Sequence, residues 1–81
     1  MPIDEKLEHK AAADSLFEAG REDFGLGKYE NARFFLALAG RLYDRVEDVF
    51  HRKMVGGWYK STLRRLQEAL PDEPLAWYNK R

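Results

Sequence analysis

The hydrophobic residues in the first half of the chain recur at helical spacing on both sides of a glycine-rich interruption. Before and after the tripeptide Gly25-Leu26-Gly27, apolar and small residues lie three, four and seven positions apart, so each run covers one side of a helix. The first run comprises Ala12, Ala13, Leu16, Phe17, Ala19, Gly20 and Phe24, and the second comprises Phe35, Ala39, Leu42, Val46 and Val49. Because glycine reaches left-handed backbone angles without a steric penalty, the tripeptide predicts a tight turn between two antiparallel helices across residues 16 to 46.

The whole pattern predicts an all-α fold: an antiparallel helical hairpin with a long central helix, a third helix and a short C-terminal helix, in one domain of residues 1–81. Asp4 is the expected N-cap of the first helix. The pair Gly56-Gly57 is expected to end the long central helix, and Pro71 to end the third. The predicted bounds of the first three helices are Asp4 to Phe24, Tyr29 to Met54 and Trp58 to Leu70.

Gly20 is the most informative single residue of the first helix. A glycine inside a helix costs about 1 kcal/mol relative to alanine, and it is often retained where two backbones come close together. We therefore predict that the two helices of the hairpin cross at Gly20. Ala32 and Ala39 are the small residues of the second helix that could face it.

The same stretch resembles a tetratricopeptide repeat, a helix pair of about 34 residues with fixed large and small positions. The matching positions are Leu16, Gly20, Phe24, the Gly27-Lys28-Tyr29 turn, Ala32, Leu36 and Ala39. The C-terminal segment ALPDEPLAWYN resembles the end of one repeat and the start of the next. The chain departs from the family pattern at Ala19, Asp44, Glu47 and Tyr59. Since stacked repeats need about three units to bury a continuous core, the resemblance implies that a partner or a second copy covers an unfinished face.

The composition is that of a soluble globular domain, with 44% hydrophobic and 35% charged residues. There is no cysteine, so disulfides and thiolate metal sites are excluded. No apolar run approaches the length of a membrane span, and the polar N-terminus is unlike a signal peptide. We expect a cytoplasmic protein without a cofactor.

The charges are unevenly distributed along a chain whose net charge is zero. Residues 1–27 hold seven acids and three bases, a net of −4, whereas residues 28–81 hold seven acids and eleven bases, a net of +4. This polarity favours either ion pairs between helices of one molecule or head-to-tail contact between molecules. A neutral chain is not typical of a general nucleic-acid-binding protein, which is basic as a whole.

Two histidines lie one turn from a carboxylate. Glu47 and Asp48 precede His51 at the spacing of neighbours on one helix face, and Glu5 precedes His9 in the same way. Carboxylate–histidine pairs of this kind occur in di-iron bundles, but those sites draw such pairs from several helices. The favoured interpretation is an exposed ion pair at His51, a solvated His9 and no metal site.

Arg45 and His51 are similar to the arginine–histidine motif of HEPN ribonucleases, another family of helical bundles, and this resemblance implies RNA cleavage. On one straight helix, however, six residues correspond to a rotation of about 600°, so the two side chains would diverge by about 120°. The ribonuclease therefore stays an alternative rather than the prediction.

The candidate partner-binding residues are basic or aromatic. The aromatic and arginine side chains belong to the types enriched at binding hot spots. Arg41, Arg45 and Arg52 form a basic stripe that could contact phosphates or an acidic partner. The acids beside this stripe favour a solvated helix face instead. The candidates are Arg41, Arg45, Arg52, Trp58, Tyr59, Trp77 and Tyr78.

The sequence as a whole predicts a non-enzymatic protein–protein interaction module that forms a homodimer. By analogy with other compact cysteine-free proteins, including those made by bacteriophages, it would act as an adaptor or a small stoichiometric inhibitor. The alternatives are a small nucleic-acid-associated regulator, favoured by the basic C-terminal two-thirds, and the HEPN-like ribonuclease.

Overall fold

The computed structural model describes residues 2–69, which fold into three successive antiparallel helices. Helix α1 spans Ile3–Gly25, α2 spans Tyr29–Arg45 and α3 spans Val49–Ala69. The predictions of an all-α fold and of a helical hairpin over the first two helices are confirmed. The predicted short fourth helix, together with Trp77 and Tyr78, lies outside the described residues.

The glycine turn lies where the sequence predicts it. Helix α1 ends at Gly25, and Gly27 has a φ of +79°, the left-handed angle that favours glycine. The Lys28 N–H donates to the Asp23 carbonyl at 2.8 Å, which closes the turn. At the other end of α1 the predicted cap is wrong: Pro2 precedes the helix without a side-chain cap, and Asp4 lies in the first turn. In this position the negative charge of Asp4 still interacts favourably with the positive end of the helix dipole.

The prediction of a long central helix is wrong, because α2 ends at Arg45 and the chain turns there instead of continuing as a helix to Met54. Glu47 adopts a φ of +59°, which is uncommon for a residue other than glycine. Asp48 then caps α3: its Oδ1 accepts a hydrogen bond from the His51 backbone N–H at 3.0 Å. The break is therefore made by local polar groups, without glycine or proline.

The pair Gly56-Gly57 lies inside α3, so the predicted helix end at this pair is wrong as well. Val55, directly before the pair, and Thr62, later in the same helix, are both buried against the rest of the protein. Thr62 Oγ1 also donates to the Trp58 carbonyl within the helix, at 2.8 Å. Each glycine costs about 1 kcal/mol of helix propensity, and burial of these two side chains offsets that cost.

Helix α2 lies between α1 and α3 and contributes most of the core. Helices α1 and α3 pack along it and contact each other at only a few side chains. None of the three helices combines the length and apolarity needed to cross a bilayer. The core comprises Ala13 and Phe17 of α1, Ala32, Leu36, Ala39 and Tyr43 of α2, and Val55 of α3.

The predicted close approach at Gly20 is confirmed. A Cβ atom added to Gly20 would lie 2.8 Å from Leu36 Cγ and 2.9 Å from Leu36 Cδ2. Gly20 therefore faces the large side chain of Leu36, whereas the sequence suggested Ala32 or Ala39. Both alanines are fully buried nearby in the core.

Candidate interaction surfaces

The side of the protein opposite α2 exposes apolar side chains from both outer helices. Phe50 is 69% exposed, Leu7 is 61% exposed and Met54 is 38% exposed. Because α1 and α3 touch so little, the surface between them stays open. We call this surface the α1–α3 face, and its members are Leu7, Lys10, Arg21 and Phe24 of α1 and Phe50, Met54, Gly57, Trp58 and Ser61 of α3.

Trp58 joins the two helices at one end of the α1–α3 face. Its ring meets the Phe24 ring edge-on, with centroids 5.3 Å apart. The Arg21 guanidinium carbon lies 5.8 Å from the centre of the Trp58 ring and 5.4 Å from that of Phe17. Trp58 is half-buried, so it both packs against the core and borders a hollow of about 460 Å³.

The other end of the α1–α3 face is a second hollow, also of about 460 Å³. Leu7 contributes to it from α1, and Phe50 from the start of α3. Lys6 and Lys10 stand at its rim on α1. Glu47 and Asp48 line it from the turn before α3, so this end combines exposed apolar side chains with charged groups of both signs.

Beside the second hollow, a polar cluster ties all three helices together. The buried Tyr43 hydroxyl of α2 donates to Asp14 of α1, and the Tyr43 ring stacks on the His51 ring with centroids 5.0 Å apart. Burial, the hydrogen bond to Asp14 and the charges of Asp14 and Asp48 all raise the pKa of Tyr43. Tyr43 therefore stays a neutral hydrogen-bond donor at physiological pH.

Asp48 and His51 form the pair that the sequence indicated, but in a partly buried setting. His51 Nδ1 lies 2.8 Å from Asp48 Oδ2, and Lys10 Nζ lies 3.6 Å from the same oxygen. The His51 backbone N–H, with further contributions from its side chain and from Lys10, lowers the pKa of Asp48. The prediction of an exposed pair is therefore wrong, and the pair serves as the cap of α3.

Arg45 and His51 lie on different helices, so the divergence of about 120° expected on one straight helix does not apply. Arg45 is the last residue of α2 and is exposed. His51 lies in the first turn of α3, with one ring nitrogen on Asp48 and its ring against Tyr43. Within residues 2–69, Arg45 forms no ion pair.

The predicted basic stripe is split by the turn after α2. Arg41 and Arg52 line one groove between α2 and α3, of about 200 Å³, and Tyr59 also lines it. Arg52 Nε donates to Asp44 Oδ2 at 3.1 Å across the two helices. The structure thus brings three of the predicted residues together on the side of α3 away from Trp58, whereas Arg45 does not line this groove.

No group of three metal-ligating side chains occurs within the described part of the chain. His9 Nδ1 donates to the Glu5 backbone carbonyl at 2.7 Å, so this histidine is engaged within its own helix.

Leu7, Phe50 and Met54 are absent from the partner-binding residues that the sequence predicted. Phe50 and Met54 are one helical turn apart and lie about 140° and 100° around α3 from the buried Val55, and this phase becomes visible only once α3 is known to begin at Val49. The α1–α3 face is the candidate site with the most exposed apolar side chains.

No protein-family model, curated protein or solved structure matches this chain.

Proposed function

We propose that this protein is a non-enzymatic protein–protein interaction module that binds its partner through the α1–α3 face. The observation that carries the proposal is the exposure of Phe50 and Met54 beside the half-buried Trp58. Single exposed apolar residues are normal on protein surfaces, but a cluster rimmed by charged groups is typical of an interaction site. Aromatic residues, methionine and arginine are also the types enriched in protein interfaces.

The incomplete stacking of the helices supports the same proposal. Residues 2–69 resemble one tetratricopeptide repeat followed by one further helix, and stacked repeats need about three units to bury a continuous core. Helix α3 buries Val55 and Thr62 against α2 while Phe50 and Leu63 on its other sides stay exposed. An adaptor or a small stoichiometric inhibitor would cover such a surface by binding another protein.

Phe50 is expected to contribute more to binding than the charges around it. Full burial of a phenylalanine side chain contributes about 1.5–3 kcal/mol, whereas an exposed ion pair contributes about 0–1 kcal/mol. Since about 1.4 kcal/mol corresponds to a tenfold change in affinity, loss of the Phe50 ring should weaken binding by about 10- to 100-fold.

Site-specific photocrosslinking in lysate of the native host tests this function. A benzoylphenylalanine would replace Met54 in one protein and Leu63 in a control. The two positions are almost equally exposed, at 38% and 40%, but Leu63 lies on the other side of α3. We expect a discrete protein adduct from position 54 that Phe50→Ala reduces, and none from position 63. Equal adducts at both positions, or none at position 54, would contradict the proposal.

The basic character of α3 favours one competing function, the binding of nucleic acid. This helix carries five bases and one acid, and Lys53, Lys60 and Arg64 are all exposed. If it bound nucleic acid, the position-54 adduct would be digested by nuclease, and binding would fall steeply with salt because phosphate contacts release counterions. A protein adduct resistant to nuclease distinguishes the proposed function from this alternative.

A further inference from the structure

We infer that the occupant of the α1–α3 face is a second copy of this chain, in a two-fold dimer where α1 of each copy lies against α3 of the other. This inference rests on the proposed function, because it names the partner of the same face. It draws on three features of the structure: the charges of the outer helices, the parallel direction of α1 and α3, and the size of the face.

The outer helices carry opposite charges that the fold leaves apart. Helix α1 contains seven acids and three bases, and α3 contains five bases and one acid. Helix α2 lies between them, so ion pairs within one molecule do not neutralise this polarity. Within residues 2–69, the ion pair that links α1 to the start of α3 joins a base of α1, Lys10, to Asp48. The charge pattern of the sequence favours either ion pairs between helices of one molecule or contact between molecules. The structure therefore supports contact between molecules.

The direction of the helices allows a closed pair. In three successive antiparallel helices, α1 and α3 run parallel to each other. A two-fold axis parallel to both then places α1 of one copy on α3 of the other, and α3 on α1, at matching heights. Leu7 and Phe50 line the same hollow, so Phe50 of one copy would meet Leu7 of the other. An isologous pair of this kind closes, whereas a repeated edge-to-edge contact would form an open filament.

The rim of the face offers complementary charges in this arrangement. Glu18 and Glu22 are exposed and lie about 60° and 100° around α1 from Arg21, on its outer side. Lys53 and Lys60 are exposed and lie about 100° and 120° around α3 from Met54, also on the outer side. The two-fold axis brings each acidic rim opposite a basic rim, and it does so twice in the dimer.

The size of the face fits a small dimer. Helices of about 20 residues are about 30 Å long, and two helices that flank a third span roughly 20 Å at interaxial distances of 8–10 Å. Each copy would therefore bury about 600 Å², or about 1,200 Å² for the pair. This area is at the lower limit of the range for specific interfaces, so we expect a dimer at micromolar concentration that one central substitution can dissociate.

Light scattering coupled to size exclusion tests the dimer on the purified full-length chain. We expect twice the chain mass of 9.5 kDa at micromolar concentration. Phe50→Glu should give a monomer, whereas the matched control Leu63→Glu, on the other side of α3, should stay dimeric. A parent protein of 9.5 kDa even at a concentration of hundreds of micromolar would overturn the inference. A dimer that survives Phe50→Glu would overturn it too.

Charge exchange tests the pairing of α1 with α3. The double variant Lys53→Glu/Lys60→Glu and the double variant Glu18→Lys/Glu22→Lys should each dissociate at least tenfold more readily than the parent. An equimolar mixture of the two should recover dimers, because both rims of the mixed pair are again complementary. All four positions are exposed, and circular dichroism checks that the variants stay helical. If the mixture were no more dimeric than its components, α1 would not face α3.

The two proposals fail separately. A purified monomer that still gives a host-protein adduct from position 54 would remove the second copy and leave the interaction module. The absence of both the dimer and any protein adduct would remove both proposals.

Discussion

The helix crossing at Gly20 makes a sharp prediction for the smallest possible substitution, Gly20→Ala. The added methyl group would lie 2.8 Å from Leu36 Cγ and 3.4 Å from the Leu36 backbone nitrogen. Carbon atoms in contact prefer a separation of about 3.5–4.0 Å. Leu36 is fully buried, and its Cγ is not the free end of a flexible chain, so α1 and α2 would have to separate or the leucine would have to leave its rotamer.

Two opposing effects determine the size of the change. Alanine is favoured over glycine inside a helix by about 1 kcal/mol, whereas overpacking of a well-packed core costs about 1–3 kcal/mol. We expect a net loss of about 1 kcal/mol in the free energy of unfolding. Gly56→Ala is the matched control, because its new Cβ would lie 3.6 Å from Arg52 Nη1, an ordinary contact with a flexible side chain. That variant should gain up to about 1 kcal/mol.

Thermal unfolding followed by circular dichroism, at one protein concentration, measures the comparison. For a domain of this size, 1 kcal/mol shifts the Tm by about 4–8 °C, so the two variants should melt about 8–16 °C apart. In the Gly20→Ala background, Leu36→Val should cost less than it does in the parent, because the smaller side chain relieves the crowding. If Gly20→Ala were stabilising by as much as Gly56→Ala, the close approach of α1 to α2 would not constrain residue 20.

Three further predictions concern the turn before α3 and the polar cluster. Asp48→Ala should cost about 1 kcal/mol in the free energy of unfolding, because the cap of α3 is lost. Since the pKa of Asp48 is lowered in the folded state, the stability that Asp48 contributes is present above about pH 4 and is lost as the pH falls through that folded-state pKa. Acid titration of the parent and of Asp48→Asn would show this loss in the parent alone. Because the pKa of Tyr43 is raised above 10, stability should be full below pH 10 and fall as the pH rises above it, and Tyr43→Phe should remove this alkaline loss in urea titrations. Glu47→Gly should raise the urea midpoint, since a left-handed backbone costs a residue other than glycine about 1 kcal/mol.

The first hairpin could be predicted because its signals are local. Gly25 and Gly27 interrupt two clear helical patterns, and a glycine turn needs no tertiary contact to reverse the chain. The break at residues 46–48 has no such signal. It depends on the capping hydrogen bond that the His51 backbone N–H donates to Asp48, and an aspartate three residues before a histidine does not by itself indicate the start of a helix.

The candidate site could be predicted only in part, and the missed turn is the reason. On an unbroken helix from Tyr29 to Met54, Phe50 continues the apolar stripe of the second helix. Once α3 begins at Val49, its rotational phase is set by Val55 and Thr62, and Phe50 turns toward solvent. The sequence did indicate Trp58, Tyr59, Arg41 and Arg52, since hot-spot residue types need no knowledge of helix phase, but it did not separate the groove of Arg41 and Arg52 from the face of Trp58.

The position of α2 between two helices that scarcely meet has a consequence for folding. Every extensive helix contact joins elements adjacent in sequence, so the described fold is built from contacts of short sequence separation, and such topologies fold rapidly. We therefore expect α3 to detach while the α1–α2 hairpin persists, as terminal repeats separate from the end of an array. Amide protons of α3 should then exchange through this partial opening, whereas those of α1 and α2 around Gly20 and Leu36 should wait for global unfolding. A partner that covers α3 would slow exchange in that helix most.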